Sequence, residues 1–323
     1  MRKPRLHNKI GRSIFTLPIC VLLTIALWWW PQGSFLLDNL LSLLLTLFVA
    51  YIILETNNIN QIIRVRSRML SSVWLMGMAC VGFVHSFQPM LLSVLSLALS
   101  YYLLFRTYQC TQPVADVFHS FLFLSLGAVV FPPMLFFVPA FLWYLLVFMR
   151  TLTFRTLWAA VVGTCLPFWF WIGFLLVKED LTPLVTWWGS LLGMANLYDW
   201  GNFEWADMQD PDALSHQLPL LFFTFLTLWT SVYYLLNSYD DKIRTRMIFY
   251  IYVCQSALII AYAILTFRFE ESTPLLLLSF SPLLAHYFTL RTTWGSLVMF
   301  VLTILGFAVL ALSPFYSYLC TRI

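Results

Sequence analysis

Apolar runs long enough to cross a bilayer recur from one end of this chain to the other. "LLSLLLTLFVAYIIL" (Leu40–Leu54) is one, and "VLLTIALWWW" (Val21–Trp30) is part of another. A bilayer's hydrocarbon core is about 30 Å thick, so a helix needs roughly 20 apolar residues to cross it. Lipid offers no partner for backbone N–H and C=O groups, so each crossing must be a helix or a strand of a closed barrel. Barrel strands alternate apolar and polar residues in segments of about ten, and these runs do not alternate. The charge content agrees. Only 10% of the 323 residues are charged and 61% are hydrophobic, against about 25% charged in an ordinary soluble domain. The expected fold class is all-α, a polytopic transmembrane bundle forming one integral-membrane domain over residues 1–323.

Eleven spans are expected, at roughly 14–30, 36–54, 70–87, 90–105, 117–131, 132–149, 157–177, 219–236, 247–267, 273–289 and 294–315. Lys and Arg concentrate on the cytoplasmic ends of spans. With eleven alternating passes, Arg2, Lys3, Arg5, Lys9, Arg12, Arg64, Arg66, Arg68, Arg106, Arg150, Arg155, Lys242, Arg244, Arg246 and Arg291 all fall on one side. Lys178, Arg268 and Arg322 fall on the other. This split puts the N-terminus in the cytoplasm and the C-terminus outside. It also divides two ambiguous segments into hairpins, because Arg68, Arg106 and Arg150 then all stay inside. The basic start "MRKPRLHNKIGR" resembles a signal peptide, but the following run ends in "WWWPQG" without a small-residue cleavage site. It is expected to stay as the first helix. The segment 181–197 is apolar, yet a span there would push Lys242–Arg246 outside. Its Trp187 and Trp188 suit the headgroup level, so an interfacial or re-entrant helix is expected.

The one long loop, about residues 178–218, then lies outside. It carries Glu179, Asp180, Asp199, Glu204, Asp207, Asp210 and Asp212, with His216 nearby. Two kinds of site fit. A membrane enzyme acting on a lipid-linked sugar needs a carboxylate base near the bilayer surface, and Asp38, Asp199 or Glu204 could supply it. Alternatively, Asp207, Asp210, Asp212, His216 and Arg268 form a surface for a partner or a divalent cation. The EF-hand spacing is absent, no organic cofactor is expected, and the six cysteines contain no CxxC pair. Arg268 can pair locally with Glu270 or Glu271, or reach Glu204 or Asp207. Among spans, His286 and His119 are the polar candidates, since ionisable groups in a bilayer are costly. The bland alternatives are a hydrogen-bonded core histidine for His286, and for Asp116 beside His119 a pairing with Arg106. No Walker, GxGxxG, HExxH or GxSxG motif appears. The net charge of +4 follows from topology, so nucleic acid is not an expected partner.

"NNINQIIRVRSRMLSSVW" and the stretch from "FRTYQCTQPVADVFHS" through "MRTLTFRTLWAAVVGTCLPFWFW" to "SFSPLLAHYFTLRTTW" resemble a family of multi-pass inner-membrane proteins of Bacteroidota, known only as a domain of unknown function. The likeness lies in the order of parts and covers most of the chain. In that family a glutamate often follows the arginine of the basic turn, whereas here Thr156 follows Arg155. The resemblance implies an inner-membrane location and no mechanism. Three functions are therefore expected in order: a subunit or scaffold for cell-envelope assembly or secretion, with a protein partner on the outer face; a glycosyltransferase-like enzyme acting on a lipid-linked envelope precursor; and a transporter.

Overall fold

The computed structural model describes residues 5–29, 37–65, 67–193 and 211–320, apart from the side chains of 192–193, 211–216 and 313–320. Thirteen α-helices follow one another among the described residues. They are α1 Leu6–Arg12, α2 Thr16–Trp29, α3 Leu37–Asn60, α4 Met69–Ala79, α5 Met90–Arg106, α6 Val114–Val130, α7 Phe137–Tyr144, α8 Phe154–Val177, α9 Thr182–Gly193, α10 Pro211–Asn237, α11 Ile243–Thr266, α12 Phe269–Leu290 and α13 Trp294–Cys320. Each of the eleven expected spans contains a helix among its described residues. Seven are long and apolar enough to cross a membrane, and α1 with α2, bent by 88°, would make an eighth if taken as one. The other expected spans are shorter: α4, α5 and α6 are apolar helices of 10–17 residues. The segment expected at 70–87 stays α-helical only to Ala79 and then turns through a 3-10 stretch at Gly82–Val84. Every residue of α4 except Met76 is buried, so protein rather than lipid surrounds this short helix.

The helices cluster into two compact units, Met1–Gln88 with Glu204–Ile323, and Pro89–Phe203. In the first, α12 is the hub and packs against α10, α11, α4, α1 and α13. Of the seven candidate spans it is the least hydropathic, yet 89% of its most apolar stretch is buried, against 22% for α8. Bilayer physics explains the inversion. Hydrocarbon rewards apolar outer faces, while small serine and threonine side chains let helices approach closely. Ser272, Thr273 and Ser281 satisfy their hydroxyls on carbonyls of α12 and its N-cap. Ser272, Thr273, Ser279, Ser281 and Thr289 of α12 are accordingly all buried, whereas Trp169, Phe170 and Val177 of α8 are exposed. Helices α3 and α4 run antiparallel, joined by Ser71 Oγ to the Ala50 carbonyl (2.8 Å) and Trp74 Nε1 to the Thr46 carbonyl (3.1 Å).

The second unit centres on α6, which packs against α5 and α8. Ser100 and Ser120 each donate to the other's carbonyl, at 2.8 and 2.9 Å. Ser125 donates to the Thr164 carbonyl at 2.6 Å. Gly163 permits the close crossing with α8, because a Cβ there would stand 2.5 Å from the Phe118 carbonyl oxygen. The basic turn before α8 reverses at Arg150, whose φ is 55°. Thr153 then starts α8 through a reciprocal cap. Thr156 N donates to Thr153 Oγ1 (3.3 Å) and Thr153 N donates to Thr156 Oγ1 (2.7 Å). Thr156 thus does at the third helical position what a glutamate would do there.

Candidate functional site

Chain direction carries the ends of α1, α3, α10 and α12 and the starts of α4, α11 and α13 to one end of the first unit. The contacts below join them. Among the described residues of this unit, Arg5, Lys9, Arg12, Arg64, Arg68, Lys242, Arg244, Arg246 and Arg291 belong to these helix ends and turns. Arg268 starts α12 at the far end. Arg244 reaches the Asn60 side chain at 2.6 Å. Ser67 Oγ donates to the Gly11 carbonyl at 2.5 Å. The Arg291 guanidinium donates to Asn237 Oδ1 and lies 4.7 Å from the Tyr233 ring centroid. Burial pushes the Arg291 guanidinium below the usual arginine value.

Asn8 holds this end together. Its side-chain amide donates to the carbonyls of Phe288 (2.9 Å), Thr289 (3.2 Å) and Arg291 (2.7 Å). These belong to the C-terminal end of α12, where the last four carbonyls lack partners within the helix. His7 Nε2 lies 2.8 Å from the Arg291 carbonyl and 3.1 Å from Ser296 Oγ. Helix α1 therefore buries His7, Asn8 and Gly11 and leaves Lys9 and Arg12 exposed.

His286 is the expected polar candidate that finds a chemically specific partner. Its Nε2 stands 2.9 Å from Asp241 Oδ2, with side chains only 11% and 8% exposed. The ring packs edge-on against Tyr234 (5.1 Å) and Phe249 (4.6 Å). The Tyr234 hydroxyl is buried beside Asp241. His286 sits one turn before the last residue of α12, about 6 Å along the axis. It is thus near a helix end rather than at mid-span, held by a carboxylate from the turn before α11.

The other candidates are dispersed. His119 is exposed and its Nδ1 contacts the Ala115 carbonyl of its own helix at 2.7 Å. Asp116 pairs with Arg106 at 3.8 Å, as expected. Arg268 takes the local option, 3.4 Å from Glu271, which also accepts from Tyr262. Asp38 is exposed in the first turn of α3. Asp199, Glu204, Asp207 and Asp210 lie outside the described residues, as do the side chains of Asp212 and His216 on α10. Among the described residues no group of three or more His, Cys, Asp or Glu could hold a metal ion. The segment expected to lie at the interface forms α9, only 12 residues long. Trp187 is buried there and donates to the Ala128 carbonyl at 3.0 Å, closing the end of α6. Asp180 precedes α9, and the Thr182 hydroxyl and backbone N–H hold its carboxyl below the usual carboxylate range.

Sequence reasoning did not find an apolar crevice in the first unit. Its volume is about 750 Å³, within the roughly 300–1,000 Å³ of ligand pockets. Helix α2 forms one wall and α13 the other, over a floor of α4 and α12. The signal lay in the small residues Cys20, Ser72, Ala308 and Ala311, which face it from three helices.

Among the described residues the fold is helical, and its long apolar helices define a membrane protein. No family model, no curated protein and no solved structure matches the chain.

Proposed function

We propose that this chain is an eleven-pass protein of a bacterial inner membrane, related to the Bacteroidota family that it resembles. Its N-terminus faces the cytoplasm and its C-terminus the outside. It serves as a non-catalytic subunit or scaffold in cell-envelope assembly or secretion, with a protein partner on the acidic loop 178–218. The gathering of nine cations at one end of the first unit supports the orientation. The observation that carries the scaffold reading is the use made of the described polar groups. Asn8, Asn60, Arg291, His286 and Asp241 join helix ends to one another. The loop acids then serve as a docking surface, and a divalent cation there would be a secondary feature.

One observation favours the enzyme as a second reading. A crevice in the helix bundle is a place for the hydrocarbon of a lipid-linked precursor, with Asp38, Asp199 or Glu204 as base. The two readings part on single carboxylates. Asp38→Asn, Asp199→Asn and Glu204→Gln should each restore the envelope integrity of a deletion strain. If one of them accumulates normally in the membrane and fails to restore it, the scaffold reading is wrong and that carboxylate is the base.

A further inference from the structure

The crevice has one end at the basic end of the first unit and the other deep among apolar side chains. It begins at Ile10 and Ser13, where α1 turns by 88° into α2, and runs to Leu27, Cys80 and Leu312. Thr16, Cys20, Leu23 and Leu27 line it at helical spacing. From Thr16 to Leu27 the rise is about 17 Å. Half of a hydrocarbon core of about 30 Å is about 15 Å, so the crevice is one leaflet deep. The lining is almost wholly apolar, and no charged side chain faces it. Helix α1 lies across the mouth with its buried face locked onto α12 by Asn8. Its exposed face presents Lys9 and Arg12 at the end where the other cations gather. A one-leaflet apolar slot capped by exposed cations on a helix lying across its mouth has the charge and shape of a phospholipid site.

We propose that this crevice holds an acyl chain of an anionic phospholipid from the leaflet at the basic end, with its phosphate on Lys9 and Arg12. The lipid fills the space between α2 and α13, over a floor that includes Leu284 and Phe288. The proposal rests on the membrane location but not on the scaffold reading. A protein that recruits partners and one that acts on lipids could both carry it.

The test uses the full chain in vesicles containing phosphatidylglycerol with a photoreactive diazirine on its acyl chain, and peptide mapping of the adducts. Leu284, Phe288 and Cys80 on the floor are at most 3% exposed, so bulk lipid does not reach them. Adducts on the floor are expected, several-fold more with phosphatidylglycerol than with the matching phosphatidylcholine. The Lys9→Ala/Arg12→Ala variant should lose that preference, and Ala308→Trp, which fills the slot, should lose the floor adducts. Equal labelling by the two lipids would overturn the headgroup assignment. Labelling confined to the outer face of α8 would overturn the site itself. If that result accompanied a stable dimer in native mass spectrometry, the crevice would belong to a second copy. The wild-type mapping does not depend on the variants folding. A stoichiometric protein partner retained in either case leaves the scaffold reading standing.

Discussion

Asn8 caps α12 at Phe288, 280 residues further along the chain, through an amide hydrogen bond of 2.9 Å. The N-terminal segment is therefore a structural part of the bundle, closing the end of the most buried of the seven candidate spans.

Replacing Asn8 by Ala leaves the carbonyls of Phe288, Thr289 and Arg291 without this donor. Stranding a buried polar group costs about 1–3 kcal/mol. The expected result is a lower thermal midpoint in mild detergent, with early proteolysis near residue 12. An unchanged midpoint and unchanged cleavage would remove Asn8 from the account.

Gly163 and Gly173 lie on the same helix and should respond in opposite ways. A Cβ at Gly163 meets the Phe118 backbone, while one at Gly173 meets nothing within 4 Å. Backbone cannot step aside as a side-chain tip can. Gly163→Ala should therefore destabilise by about 1–3 kcal/mol, and Gly173→Ala should be neutral or stabilise by up to about 1 kcal/mol. Thermal melts of the two variants side by side decide it.

His286 and Asp241 form a coupled structural pair. His286→Leu and Asp241→Leu should each destabilise, and the double variant should lose less than their sum. A hydrogen bond to a charged group contributes about 1.5–3 kcal/mol, which sets the coupling expected from a double-mutant cycle. Additive losses would deny the pairing. If His286→Leu left stability unchanged but abolished function, the transporter reading would return.

The basic end of the first unit should face the cytoplasm. In a cysteine-free background, Glu270→Cys should react with an impermeant maleimide in cells whose inner membrane is intact. Asp240→Cys should react only after that membrane is lysed. Both positions are exposed. The reverse pattern would invert the orientation.

Much of this architecture is legible in the sequence, because the bilayer allows few backbone solutions and each apolar run had to become helix. The Arg106–Asp116 pair was readable from local order. Burial was less legible. Hydropathy finds α12 but not its place at the hub, since its serines and threonines lower its hydropathy while their small size lets α4, α10 and α11 pack closely around it. A hydrogen-bonded histidine was one expected reading of His286, but its partner was not legible, because Asp241 lies 45 residues away in a turn. Thr156 seemed a loss beside the glutamate of the resembling family, until the cap with Thr153 gave it the same work. The crevice was not legible, because Cys20, Ser72, Ala308 and Ala311 belong to three helices and no periodicity within one of them records their meeting.

The most direct test of the scaffold account is purification of the protein from its own membranes, followed by mass spectrometry of the proteins and lipids that stay with it. The account predicts a stoichiometric protein partner that is lost when the acids of loop 178–218 are neutralised, with phospholipid as the retained lipid. A retained polyprenyl-phosphate or glycolipid with no protein partner would contradict it and make the chain an enzyme.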